Sequence, residues 1–158
     1  MFIPKKKIFI TIVFITIIII IQLLKTEYIL VIDDYTHKKS FKYELSDKKF
    51  SLGYTHSVMK TEAEEFFIVG EKNSIELVRT EYKSYGVGLP FLPEEGNFKI
   101  ENGKFILDIN RKFKTIPMVI SPLGKHYLKI NNKKYMLTDI LENEPSKIEL
   151  KIKKIYKF

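Results

Sequence analysis

Seventeen consecutive residues, Ile8 to Leu24, carry no charge, and the five at 17 to 21 are all isoleucine. At about 1.5 Å of rise per residue, a helix over this run is about 25 Å long, near the short end of what crosses a bilayer. Isoleucine falls on every face of it, which a core helix with one wet side does not need. Lys5, Lys6 and Lys7 precede the run, whereas Lys25, Glu27, Asp33 and Asp34 follow it. The positive-inside rule then keeps the N-terminus in the cytoplasm. The exit, Gln22-Leu-Leu-Lys-Thr-Glu, has no small-residue cleavage pattern, so an uncleaved anchor is expected. The chain divides accordingly into a cytoplasmic tail over 1–7, a single transmembrane anchor over 8–24, a linker or first strand over 25–37, and an extracytoplasmic β domain over 38–158. The expected location is the cell membrane, single-pass.

What remains after the anchor suits one modest domain. With no cysteine, disulfides, thiolate metal sites and cysteine nucleophiles are excluded. The net charge of +8 comes from lysines scattered along the chain and not gathered into a nucleic-acid-reading module. The charge fits an anionic membrane surface, or simply keeps exposed strands soluble. No nucleic-acid partner, cofactor or metal site is expected.

Beyond the anchor, short alternating segments are separated by turn residues every eight to twelve positions, which predicts an all-β fold: an antiparallel β-sandwich or a partly open barrel. Strands are expected over Tyr28 to Ile32, Phe41 to Leu45, Phe50 to Val58 and Ile75 to Tyr82. Asn102-Gly103 predicts a type I′ hairpin between Asn97 to Glu101 and Lys104 to Ile109. Asn131-Asn132 predicts a second, between Tyr127 to Ile130 and Lys134 to Leu137. Pro117 and Pro122 bracket Met118 to Ser121, which is therefore an edge strand or a covered loop. From Ile148 to Phe158 apolar residues alternate with lysines. This reads as a final amphipathic strand whose lysines meet lipid headgroups or guard a sheet edge.

Chemistry-bearing residues concentrate between Tyr54 and Pro90, in two blocks. The first is Tyr-Thr-His-Ser-Val-Met-Lys-Thr at 54 to 61. On a strand, His56 joins Phe50, Leu52, Tyr54 and Val58 on the buried face, either as a hydrogen-bonded core histidine or as a ligand. Ser57 then points the other way and is no partner for His56. Residues Ser57 to Phe67 alternatively read as a helix capped by Ser57, with Ser57 and Lys60 on one side. That Ser-x-x-Lys spacing occurs in acylating enzymes, but the companion Ser-Asp-Asn and Lys-Thr-Gly elements are missing. Glu62, Glu64 and Glu65 read as a solvated turn, because they lack the spacing and glycine of a calcium loop.

The second block is Glu-Tyr-Lys-Ser-Tyr-Gly-Val-Gly-Leu-Pro at 81 to 90. Gly86 and Gly88 match neither a dinucleotide fingerprint nor a P-loop. They suit either a strand-breaking loop or a small nest of amide donors for an anion, flanked by Lys83 and Ser84. Arg79 and Glu81 share one strand face before the loop, and an ion-pair network with Lys60 and Glu65 would join the two blocks.

The order His-Ser-Val-x-Lys-Thr (56 to 61), Glu-Glu (64 and 65) and Glu-x-x-Ser-Tyr-Gly-Val-Gly-Leu-Pro (81 to 90) resembles an uncharacterised bacterial and archaeal family of unknown function. Its members are often encoded beside TRAP-type transporters of the TAXI class, and the looser resemblance runs from about Leu30 to Leu150. The resemblance implies association with ion-driven uptake of small organic anions and no established activity. It makes His56, Ser57, Lys60, Thr61, Glu65, Ser84, Gly86, Gly88, Leu89 and Pro90 site candidates beside Arg79, Glu81 and Lys83. The function expected is an accessory or small-anion-binding module of such a transporter. The alternatives are a stand-alone envelope binding or sensing domain, or a Ser/Lys or His/Glu hydrolase. No catalytic motif is complete, so no enzyme is expected.

Overall fold

Alternating apolar and polar residues fold into two antiparallel sheets facing each other across one core. The computed structural model describes residues 5–23, 25–55, 60–83 and 96–157. The strands are β1 (Lys25–Asp34), β2 (Lys39–Glu44), β3 (Lys49–Thr55), β4 (Glu62–Val69), β5 (Ile75–Tyr82) and β6 (Asn97–Glu101). They are followed by β7 (Lys104–Phe113), β8 (Ile116–Ile120), β9 (Tyr127–Ile130), β10 (Lys133–Met136) and β11 (Ser146–Lys157). The smaller sheet has the order β2-β1-β11-β8, and the larger β10-β9-β3-β4-β5-β7-β6. Leu30, Ile32, Ile148, Leu150 and Ile152 of the smaller sheet meet Phe50, Leu52, Phe67, Leu77, Leu107 and Leu128 of the larger. This is the sandwich alternative; neither sheet closes into a barrel.

Both expected hairpins form. Asn102 and Gly103 have φ of 51° and 72°, and Asn131 and Asn132 have 48° and 62°, the left-handed pairs of type I′ turns. Gly103→Ala is expected to cost about 1 kcal/mol, read as a lower thermal midpoint, because a Cβ is strained at that φ although nothing crowds it. β8 is an edge strand, consistent with Pro117. Within the segment 25–37, read as linker or first strand, residues 25–34 form an inner strand between β2 and β11.

Two expectations need correction. The helical option over 57–67 fails over its described part, since Lys60 has φ of 55° and Glu62–Val69 is a strand. Pairing with β3 and β5 on both sides, plus burial of Ala63 and Phe67, overrides the local helix propensity. For the same reason Glu62, Glu64 and Glu65 are not a turn but lie in β4, Glu62 and Glu64 on one face and Glu65 on the other.

Ahead of β1 lies α1 (Lys5–Leu23). Its Phe9, Ile10, Ile12, Phe14 and Ile15 are all exposed. Taken over the described residues, no helix is long and apolar enough to cross a membrane, so the expected anchor rests on the sequence.

Candidate functional site

Cross-strand partners share a face, so the register fixes what the outer surface of the larger sheet presents. Gly53 faces Tyr127 on β9 and Glu64 on β4, Glu64 faces Glu81, and Arg79 faces Asp108. This surface forms an open groove of about 820 Å³, with Phe66, Ile68 and Val78 among its apolar lining.

Glu64 is the best-held group in it. Ser51 Oγ donates to Glu64 Oε1 at 2.6 Å, while Lys129 Nζ and Tyr127 Oη donate to Oε2 at 2.7 and 3.1 Å. Burial pushes the carboxyl up, but the bonds from Lys129, Ser51 and Tyr127 outweigh it, and the pKa lies below the usual value. Glu64 therefore stays ionised near neutrality, with both carboxylate oxygens already taken by hydrogen-bond donors. Burial, helped by the Glu64 charge, raises Tyr127. The Tyr127 ring reaches Glu64 by crossing β3 at Gly53, where a Cβ would stand 1.9 Å from Tyr127 Cζ. That close approach explains a glycine in mid-strand. It also buries Ser51 and Gly53, so β3 is covered on both faces.

Across the groove, Arg79 Nε bonds Asp108 Oδ1 at 2.9 Å and Lys104 Nζ bonds Glu81 Oε2 at 3.0 Å. Three cations and three carboxylates are thus matched. The remaining charged lining is Lys49, Lys133 and Lys134 against Asp47, a surplus of positive charge at the β9–β10 side. Lys134 Nζ sits 3.8 Å from the Tyr127 ring centroid, a cation–π contact that holds the ammonium at the groove.

The sequence candidates separate. Arg79 and Glu81, expected to share a strand face, both line the groove. Glu65 instead lies on the inner face, opposite Leu52 and Thr80, where burial raises its pKa against the pull of Arg111. The expected network linking Arg79 and Glu81 to Lys60 and Glu65 is therefore not formed: one-residue alternation puts Glu65 on the far side of the sheet. Thr61 precedes β4, with Lys60 and Lys83 exposed at strand ends. His56, Ser57, Ser84, Gly86, Gly88, Leu89 and Pro90 lie outside the described residues. The strand ends that flank both blocks are nevertheless adjacent, since Thr55 pairs with Glu62 and Ala63 with Tyr82. Around them Tyr54 stacks toward His126 and Tyr82 on Phe105, with ring centroids 6.0 and 5.5 Å apart. Burial, with Glu65 adding to it, pushes the Tyr54 hydroxyl up to about 12.

The sequence reading missed Ser51, Glu64, Asp108, Tyr127 and Lys129. The available signal was Gly53 inside an otherwise good strand, with serine and lysine on the face opposite the core. It also missed a second polar cluster, in the smaller sheet. Buried Asp34 accepts from His37 Nδ1 at 2.7 Å and from the backbone amides of Thr36 and His37 at 2.9 and 3.2 Å. Ser146 Oγ contacts the same Nδ1 at 3.3 Å, and Glu144 lies 3.7 Å from Nε2. Serine and aspartate share one ring nitrogen, so this is not the relay of a serine hydrolase, which needs them on opposite nitrogens. Among the described residues, no group of three or more acidic, histidine or cysteine side chains could hold a metal.

Residues 50–137, more than half of the chain, match a family described as a domain of unknown function, DUF1850. The chain belongs to the DUF1850 family. The DUF1850 match begins in β3 and ends just after β10, so it takes in seven strands of the larger sheet together with β8. It contains the groove apart from Asp47 and Lys49. It leaves out β1, β2 and β11, and with them the Asp34–His37 cluster. No curated protein and no solved structure matches the chain.

Proposed function

We propose that the chain is a membrane-anchored, extracytoplasmic binding module that serves a TRAP-type transporter of the TAXI class and holds a small organic anion in the groove. One observation carries the binding half of this reading. After three matched ion pairs the groove keeps Lys49, Lys133 and Lys134 against Asp47, beside apolar Phe66 and Val78. A carboxylate with a short apolar body suits such a lining. The transporter half is supported by the resemblance of the two sequence blocks, and the anchor by the uncharged run Ile8 to Leu24 with its exposed side chains.

Titration calorimetry of the full-length protein in detergent with acetate, succinate and benzoate tests the groove. At least one is expected to bind, and Lys133→Glu with Lys134→Glu to weaken it at least tenfold, about 1.4 kcal/mol. No heat from any of the three, or unchanged affinity in the double variant, overturns the assignment. Co-purification from native membranes tests the association separately, with recovery of a TRAP-type membrane subunit as the supporting result.

A further inference from the structure

We propose that the paired ends of β1 and β11 form a foot that stands in the headgroup layer of an anionic membrane and sets the domain upright on it. The inference goes beyond ligand binding and rests on the anchor reading. Only Leu24 separates α1 from β1, so Lys25 lies within about 7 Å of the helix end. The register places Lys157 opposite Lys25, Tyr156 opposite Thr26 and Lys154 opposite Tyr28. The last residues of β11 are thereby fixed beside the helix end.

This end of the ribbon projects out of the sandwich. Along β11 exposure rises from 0% at Leu150 and 7% at Ile152 to 38% at Ile155 and 58% at Tyr156. An apolar and an aromatic side chain thus become exposed as the strand nears the apolar helix. The same stretch is basic: Lys25, Lys153, Lys154 and Lys157 stand against Glu27 alone. Lys154 Nζ lies 5.2 Å from the Tyr156 ring centroid. A tyrosine flanked by lysines is the composition that prefers the membrane–water interface, and each lysine near an anionic surface adds favourable attraction.

The dimensions agree. Each headgroup layer is about 5–8 Å deep, while a strand rises about 3.3 Å per residue. Two or three residue pairs therefore fill it: Lys25 with Lys157, Thr26 with Tyr156, and Glu27 with Ile155. Lys153 and Lys154 come next, within a Debye length of about 8 Å from the lipid phosphates.

The chain has no tryptophan, so a single introduced one reports its own surroundings. Full-length Tyr156→Trp is placed in nanodiscs of phosphatidylcholine with and without phosphatidylglycerol, using lipids brominated near the headgroup. Emission is expected to shift blue and be quenched in the anionic discs, whereas Tyr35→Trp, beyond the other end of β1, is unquenched. Adding Lys153→Glu and Lys154→Glu is expected to abolish the dependence on anionic lipid. Phe14→Trp, in α1, separates the failures. If it is quenched by mid-chain bromine while Trp at 156 stays solvent-exposed, the foot is wrong and the anchor stands. An unquenched probe at 14 sinks the anchor, and the foot with it.

Discussion

Replacing Gly53 with valine is expected to lower stability by about 3 kcal/mol, a thermal midpoint about 10 °C lower, read by calorimetry of the full chain. The cause is the Tyr127 ring, which passes over β3 where any Cβ would overlap it at 1.9 Å. The ring must leave, and its hydroxyl bond to Glu64 goes with it. Gly53→Ala should do nearly as much, because the overlap begins at the first carbon. Combining Gly53→Ala with Tyr127→Ala should recover part of the loss, a coupling of about 1–3 kcal/mol. Additive effects would show that the glycine serves backbone freedom and not the ring. If lysine binding of an anion is as proposed, Gly53→Ala should also weaken carboxylate binding, since Lys134 rests on the displaced ring.

Asp34→Ala is expected to cost about 3 kcal/mol, measured by urea unfolding, because a buried carboxylate with three donors is removed and the donors stay behind. The pH dependence of the wild-type protein follows from the same pair. The hydrogen bond to Asp34 raises the His37 pKa against the effect of burial. A raised histidine contributes stability that is full below its ordinary value, about 6.5, and is lost as the pH rises through the folded value. Burial pushes Asp34 up, but the bonds from His37 and the two amides bring it below the ordinary value. Its contribution is present above about 4 and lost as the pH falls through the folded value. The urea midpoint should therefore be highest between about pH 4 and 6.5 and decline on the alkaline side. His37→Asn should remove that alkaline decline; a wild-type midpoint flat from pH 6 to 9 would show that the pair does not couple to folding.

Period-2 alternation and the two Asn-centred turns make most of the larger sheet legible in the sequence. Ile75 to Tyr82 and Asn97 to Glu101 are strands with those same ends. Two things were not legible. Which strand lies beside which is set by long-range pairing, so nothing local to Tyr28 to Ile32 announces that its neighbour is the final strand. Residues 57 to 67 carry good helix formers, and only pairing on both sides makes 62 to 67 a strand. The candidate site suffered from the same limit. A shared strand face picked out Arg79 and Glu81, which do line the groove, and motif order picked out Glu65, which one step of alternation turns inward. Glu64, named in the same motif, reads in the sequence as part of a solvated turn and not as a site residue, because its partners Tyr127 and Lys129 lie 63 and 65 positions away.

The pairing of β1 with β11 has a consequence for how the chain is made. Tyr35 bonds Glu149 across 114 positions, and Asp33 pairs with Lys151 across 118. Synthesis at roughly 5–20 residues per second leaves β1 waiting on the order of ten seconds for the strand it pairs with along its whole length. Until then Tyr-Ile-Leu-Val-Ile at 28–32 can pair with β2 but has an open apolar edge on its other side, a surface prone to aggregation. Emergence of β11 is thus the event that closes the sandwich, and loss of that strand would leave the first strand unsealed however well the family domain between them had folded.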